Sequence, residues 1–185
     1  MPEYLDFEVS LRDVQPKVWR RFLIRPSGTF MNLHEAIQDA CGWLNYHLFA
    51  FRTPERRTVA GLPDDDGFSD PDPDAARIKL SSFFGPGKSN RCVYEYDFGD
   101  SWEHDVVLNG TTNLKERFER RLIDGGRAFP PEDCGGPPGY EDCVRVAEGF
   151  DGETIFGEAA ELREWLGDWT PEAFDLHAVK RHFDR

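Results

Sequence analysis

The sequence predicts an α+β domain, with a mixed or antiparallel β-sheet and helices packed on it. Three observations carry this. Period-two strand patterns recur through the first two thirds of the chain. One amphipathic helix interrupts them early, and further helical stripes gather near the end. The 185 residues, 39% hydrophobic and 14% aromatic, suit a single domain over 1–185 with a substantial core.

Leu5, Phe7, Val9 and Leu11 alternate with Asp6, Glu8, Ser10 and Arg12, a strand with one buried face. A turn at 13–17 contains Pro16, and a second strand over 18–24 completes a hairpin. On it Arg20 and Arg21 point to opposite faces. A helix is expected over 32–41, with Asn32 and Glu35 as a capping box and Gly42 as the left-handed stop. Its stripe is Leu33, Ala36, Ile37, Ala40, Cys41 and Leu44, with His34 on the border. A short strand covers 47–52.

Residues 53–80 read as an extended, solvated acidic loop, centred on 54–78. Asp64, Asp65, Asp66, Asp70, Asp72 and Asp74 fall within eleven residues with no base among them. A calcium loop would need alternating oxygens and a terminal Glu, which this run lacks. Residues 79–84 fit a helical turn or a short strand. Strands over 92–98 and 102–109 flank Gly99-Asp100-Ser101 and form a hairpin. A further strand is expected over 117–123.

A Gly/Pro loop then runs over 124–142, and a loop this long inside a compact domain is functional or disordered. Asp142 is placed to cap a short helix through Glu148. Ala159, Leu162, Trp165 and Leu166 form a helical stripe that ends at Gly167. A last helix carries Leu176, Val179 and Phe183 behind an Asp175 cap.

Lys and Arg total 22 against 35 Asp and Glu, a net charge of −13. Such a surface repels phosphate backbones, which disfavours nucleic acid and anionic membranes as partners and favours a protein partner. The basic residues that could offset this locally are Lys17, Arg20, Arg21 and Arg25. No apolar stretch approaches the ~18 residues of a membrane helix, and no secretory signal is expected. Cys41, Cys92, Cys134 and Cys143 have neither C-x-x-C nor zinc-ribbon spacing. Four reduced thiols in a cytoplasmic protein is the simplest expectation.

Two polar clusters stand out. The first runs from Tyr96 to His104, with Asp97 and Asp100 at the hairpin mouth and Trp102 and His104 on one face of the second strand. Carboxylates with an imidazole can hold a metal or move a proton. They also commonly bond the backbone of a tight turn or fill a core. The second is Pro130-Pro131-Glu132-Asp133-Cys134-Gly135-Gly136 with Tyr140, where Glu132 and Asp133 could complete a site begun by His104. Cys134 fits a ligand or a nucleophile, and a loop pinned by its own hydrogen bonds fits equally well. Ser101, His104 and an Asp crowd one hairpin with no nucleophile elbow, which argues against a hydrolase triad. Asp97-Phe98-Gly99 lacks every other kinase element. Trp43, Tyr46 and His47, just after the first helix, fit a groove wall or core packing.

These motifs resemble the plasmid pRiA4b ORF-3-like family. The matching residues are Val14-Gln15-Pro16-Lys17-Val18-Trp19-Arg20-Arg21, Leu33-His34-Glu35-Ala36-Ile37-Gln38, Gly42-Trp43 with His47-Leu48 and Phe51, Tyr96 through His104, Pro130 through Pro137 with Gly139-Tyr140, and Phe174-Asp175-Leu176. The resemblance spans nearly the whole chain. It implies an α+β fold like that of an archaeal prototype, a cytoplasmic home, and an association with plasmids or transposable elements. It brings no catalytic assignment. The family often has Cys where this chain has Phe129, and Asn where it has Lys180, and losing that Cys weakens the case for a metal.

The favoured expectation is a non-catalytic binding domain with a protein partner and no cofactor. Its surface would join Asp97, Asp100, Trp102, His104, Glu132, Asp133 and Tyr140, with Arg20 or Arg21 beside them. The alternative is a metal-dependent hydrolase or nuclease, with a divalent ion on Asp97, Asp100, His104, Glu132 and Asp133. Both require the hairpin mouth and the Pro-Pro-Glu-Asp loop to meet in space.

Overall fold

A computed structural model describes residues 1–63 and 71–185. Seven strands form one antiparallel sheet: β1 (Glu3–Leu11), β2 (Trp19–Ile24), β3 (Phe49–Arg52), β4 (Thr58–Gly61), β5 (Arg91–Tyr96), β6 (Trp102–Asn113) and β7 (Arg120–Gly126), in the order β4-β3-β5-β6-β1-β2-β7. A two-residue ribbon, β8 (Glu153–Thr154) with β9 (Gly157–Glu158), lies apart from it. The helices are α1 (Phe30–Cys41), α2 (Leu80–Phe83), α3 (Gly136–Ala147), α4 (Ala159–Leu166) and α5 (Leu176–Phe183). The α+β class is therefore as expected, with every strand pairing antiparallel.

The sheet has one apolar and one ionic face. Leu5, Phe7 and Val9 on β1, Phe22 on β2, Tyr94 on β5 and Val106 on β6 face the core with Leu33 and Ile37 of α1, all essentially buried. The opposite face carries the alternate residues, tied by Arg21–Asp6, Lys17–Glu8, Arg52–Glu95 and Arg12–Glu103. This is the alternation of an antiparallel sheet covered on one side.

Four local expectations need correction. First, α1 starts earlier. Thr29 is the N-cap and Asn32 its box partner, because Phe30 is fully buried and belongs to the first turn. Second, 53–80 is not one solvated loop. It contains β4, and Ala75, fully buried, donates its N–H to the Gly61 carbonyl at 2.8 Å. Asp64, Asp65, Asp66 and Asp70 lie outside the described residues. Third, the Gly/Pro run over 124–142 is helical from Gly136. Gly135 holds the left-handed position before it (φ 81°) and proline occupies the first turn. Fourth, Asp142 is therefore inside a helix and caps nothing. Its carboxylate accepts from the Arg145 guanidinium and from the Ile155 N–H, both at 2.8 Å.

Candidate functional site

The tight turn between β5 and β6 fixes Asp97. Its backbone is left-handed (φ 55°), and its Oδ1 accepts from the N–H groups of Gly99 (3.0 Å) and Asp100 (3.4 Å). Its Oδ2 lies 3.7 Å from His47 Nε2. Asp100 reaches the other way. Its Oδ2 accepts the Gly135 N–H at 3.1 Å, and a Cβ on Gly136 would sit 2.8 Å from the Asp100 carbonyl. The hairpin mouth and the Pro-Pro-Glu-Asp loop therefore meet, and glycine permits the approach.

The segment after α1 is the third wall. The Trp43 indole donates to the Pro130 carbonyl at 2.9 Å. Glu132 accepts from the Leu44 N–H (2.7 Å) and from the Tyr96 hydroxyl (2.5 Å). The Tyr96 hydroxyl in turn accepts from the N–H groups of Tyr46 and His47. Burial, and Glu132 beside it, push the Tyr96 phenol well above its ordinary pKa. Asp133, left-handed at φ 61°, completes the arrangement with Oδ1 2.8 Å from His47 Nε2. His47, Asp97 and Asp133 thus offer three ligand-type atoms within 4.8 Å of one another.

The other expected site residues lie elsewhere. His104 is fully buried and faces the Trp43 and Phe129 rings at 5.4 and 5.9 Å. Its Nδ1 lies 3.1 Å from the Trp102 carbonyl, and its Nε2 has no hydrogen-bond partner among the described residues. Burial lowers its pKa to about 4, so the ring is neutral. Trp102 is buried against Trp43 and Tyr140. Tyr140 is buried too, its hydroxyl without a hydrogen-bond partner among the described residues. Cys134 is buried, and Cys143 with desolvation drives its thiol pKa far up, so it is no nucleophile at neutral pH.

Arg20 enters the core face of the sheet. It donates to the carbonyls of Ala40 (3.0 Å), Trp19 (2.7 Å) and Gly126 (3.2 Å), between the Phe129 and Phe174 rings. Arg21 grips Asp6 with two hydrogen bonds of 2.9 and 2.7 Å on the opposite face. Lys17 pairs with Glu8 and Arg25 with Glu119. Lys17, Arg21 and Arg25 are thus paired with acids and Arg20 is buried on carbonyls, so the expected basic edge is not a free cationic surface.

Two clefts flank this centre. One of about 540 Å³ is lined by His47, Asp97, Tyr46, Leu48, Leu62 and Phe98. The last four are 71%, 54%, 37% and 45% exposed. The second, about 310 Å³, is lined by Asp133, Phe156, Glu161 and Trp165, with Phe156 and Trp165 about half exposed. The His47–Asp133 contact joins the two. The sequence offered groove wall and core packing equally for Tyr46 and His47, and gave Leu48, Leu62 and Phe98 no part in a binding surface. Clusters assembled from three distant segments leave no local pattern.

Comparison with known proteins fits this architecture. The crystal structure of a protein of unknown function, MM3350 from Methanosarcina mazei Go1, matches with a TM-score of 0.82 and 31% identity, over 95% of each chain. The uncharacterized protein y4hQ of Sinorhizobium fredii is 35% identical over 180 residues, 96% of this chain and 89% of its own. The family model for plasmid pRiA4b ORF-3-like proteins matches residues 3–178. With that coverage and the shared fold, the chain belongs to the plasmid pRiA4b ORF-3-like family.

Proposed function

We propose that this domain is a non-catalytic binding module that takes a basic and apolar segment of a protein partner into the cleft beside His47. The observation that carries this is the exposed apolar group Tyr46, Leu48, Leu62 and Phe98 around one concavity lined by Asp97, with Asp72 in an adjoining cleft that shares Leu48, Leu62 and Phe98. Clustered exposed apolar surface marks an interaction site. Acids at its rim, on a chain of net charge −13, select a cationic partner and repel a phosphate backbone. The proposal keeps the cytoplasmic setting and the plasmid or transposon association that the resemblance implies. Four free cysteines, three of them buried, support a reducing compartment.

A hydrolase or nuclease has less support. His104 is sealed in the core. Asp100 and Glu132 already commit oxygens to the backbone and to Tyr96.

The test is selection from a displayed peptide library. Enriched peptides should combine Lys or Arg with large apolar residues, and binding should weaken with added salt. Tyr46→Ala and Leu48→Asp should each weaken binding by at least ~10-fold, while Ile123→Ser, on a distant exposed position, should not. Acidic consensus peptides, or indifference to the cleft variants, would overturn the proposal.

A further inference from the structure

We infer that His47, Asp97 and Asp133 bind a divalent first-row transition-metal ion of the zinc class. The site shares Asp97 with the cleft of the partner-binding proposal, but it is tested with the metal alone and no peptide.

The donor set is chemically apt. One imidazole and two carboxylates suit zinc or manganese better than the oxygen-only set of calcium or magnesium. Metal bonds of about 2.0–2.2 Å place tetrahedral ligand atoms roughly 3.3–3.6 Å apart. His47 Nε2 to Asp97 Oδ2 is 3.7 Å, close to that edge. His47 Nε2 to Asp133 Oδ1 is 2.8 Å, an edge that must open slightly. The Asp133 side chain, 62% exposed, is free to do so.

The support behind the donors is already present. Asp97 Oδ1 is held by two backbone N–H groups, which aims Oδ2 at His47. The Tyr96 hydroxyl accepts the His47 backbone N–H, and the Tyr96 ring stands edge-on to the imidazole at 5.7 Å. Asp100 fixes Gly135, two residues beyond Asp133. Such outer contacts orient metal ligands. Charge balance points the same way. Among the described residues, neither Asp97 nor Asp133 has a Lys or Arg partner, whereas Asp6, Glu8, Glu95 and Glu103 all do. Two carboxylates converge on one imidazole, and a cation would neutralise them. Three protein ligands would leave a fourth position open for a further ligand, and the larger cleft is lined by His47 and Asp97.

The test uses the untagged full chain, stripped with EDTA. Co²⁺ should give the visible ligand-field absorption of a four- or five-coordinate ion, saturating at one equivalent, and Zn²⁺ should displace it. His47→Gln should weaken Zn²⁺ binding by at least ~10-fold. Asp97→Asn, which retains the turn-capping oxygen, should do likewise. A His177→Gln/His182→Gln double variant should bind as wild type, excluding adventitious capture by those surface histidines. If His47→Gln disturbs the fold, Asp133→Asn on its exposed side chain decides instead. Equal Zn²⁺ titrations for wild type and Asp133→Asn, or no Co²⁺ absorption at one equivalent, would overturn the metal site and leave only a hydrogen bond between His47 and Asp133 here.

Discussion

Arg20 and Arg21 are neighbours with opposite fates. Arg20 lies on the core face, where three carbonyls and two aromatic rings replace its water. Desolvation pulls its pKa down to about 10, still far above neutrality, so it stays charged. Arg20→Ala leaves those carbonyls without their donor, and should cost about 3 kcal/mol or more in urea unfolding. Arg21→Ala breaks a half-exposed pair with Asp6 and should cost ~1 kcal/mol or less. Equal costs would refute this division. Histidines supply a second residue-scale prediction. His34 sits between the Tyr94 hydroxyl and Asn45 Oδ1, each 2.8 Å away. Burial lowers the pKa values of His34 and His104 to about 4. The unfolded chain binds these protons near pH 6.5 and the folded chain does not. Stability is therefore fully present above 6.5 and falls as pH drops toward 4, by up to about 3 kcal/mol per histidine. Urea midpoints between pH 7 and 5, above most carboxylate titration, should show the decline. His34→Gln should flatten it, and an unchanged slope would assign the decline to other groups.

At the scale of elements, the decisive joint is between the β5–β6 turn and the N-terminus of α3. Gly139 faces the Cys134 carbonyl so closely that a Cβ would sit 1.6 Å from it, and Gly136 crowds Asp100 at φ 69°. Gly139→Ala should therefore destabilise by several kcal/mol, on the order of 3. Asp100→Ala, which removes one latch, should cost about 1–2 kcal/mol and raise amide exchange at Gly135. Exchange unchanged there would mean that the loop holds itself. This joint also explains what the sequence could and could not disclose. The alternation at Leu5–Phe7–Val9, the Asp97–Ser101 turn, the Gly42 stop and the Asp175 cap are local rules, and each marks its element in the structure. Only the second half of α3 was expected, as a helix behind Asp142; its start was hidden because Gly-Gly-Pro-Pro-Gly is loop-like in composition. Yet proline in a first turn, followed by Tyr140, Cys143, Val144 and Ala147 at helical spacing, was a usable signal. β4 was hidden by its acidic surroundings. Four residues at a sheet edge are too few to show a period. His47 could not be tied to Asp97 and Asp133 from sequence, because that triangle exists only once α1, the hairpin and the loop have packed.

The whole molecule is joined by pairings between distant segments. The N-terminal strand β1 lies between β2 and β6, and its register runs from Glu3 opposite Asn113 to Leu11 opposite His104. β7 is an edge strand, and the end of the chain closes that side. Phe183 of α5 is fully buried, with its ring 5.3 Å from Phe22 of β2. Asp184 accepts the Leu122 N–H at 2.8 Å, and the Arg185 carbonyl accepts the Arg120 N–H at 3.2 Å. Arg120 and Arg185 both reach Asp39 of α1. The last helix therefore pins β7 and α1 together, and the rest of the sheet depends on it through β2 and β1. Phe183→Ala should cost about 3–5 kcal/mol and lower the melting temperature by roughly 10 °C. The loss should come as one shifted transition, with helix and sheet signals in circular dichroism moving together. An early helical transition with the sheet unchanged would show instead that α5 folds as an appendage, and that the order of strands does not bind the ends of this chain into one cooperative unit.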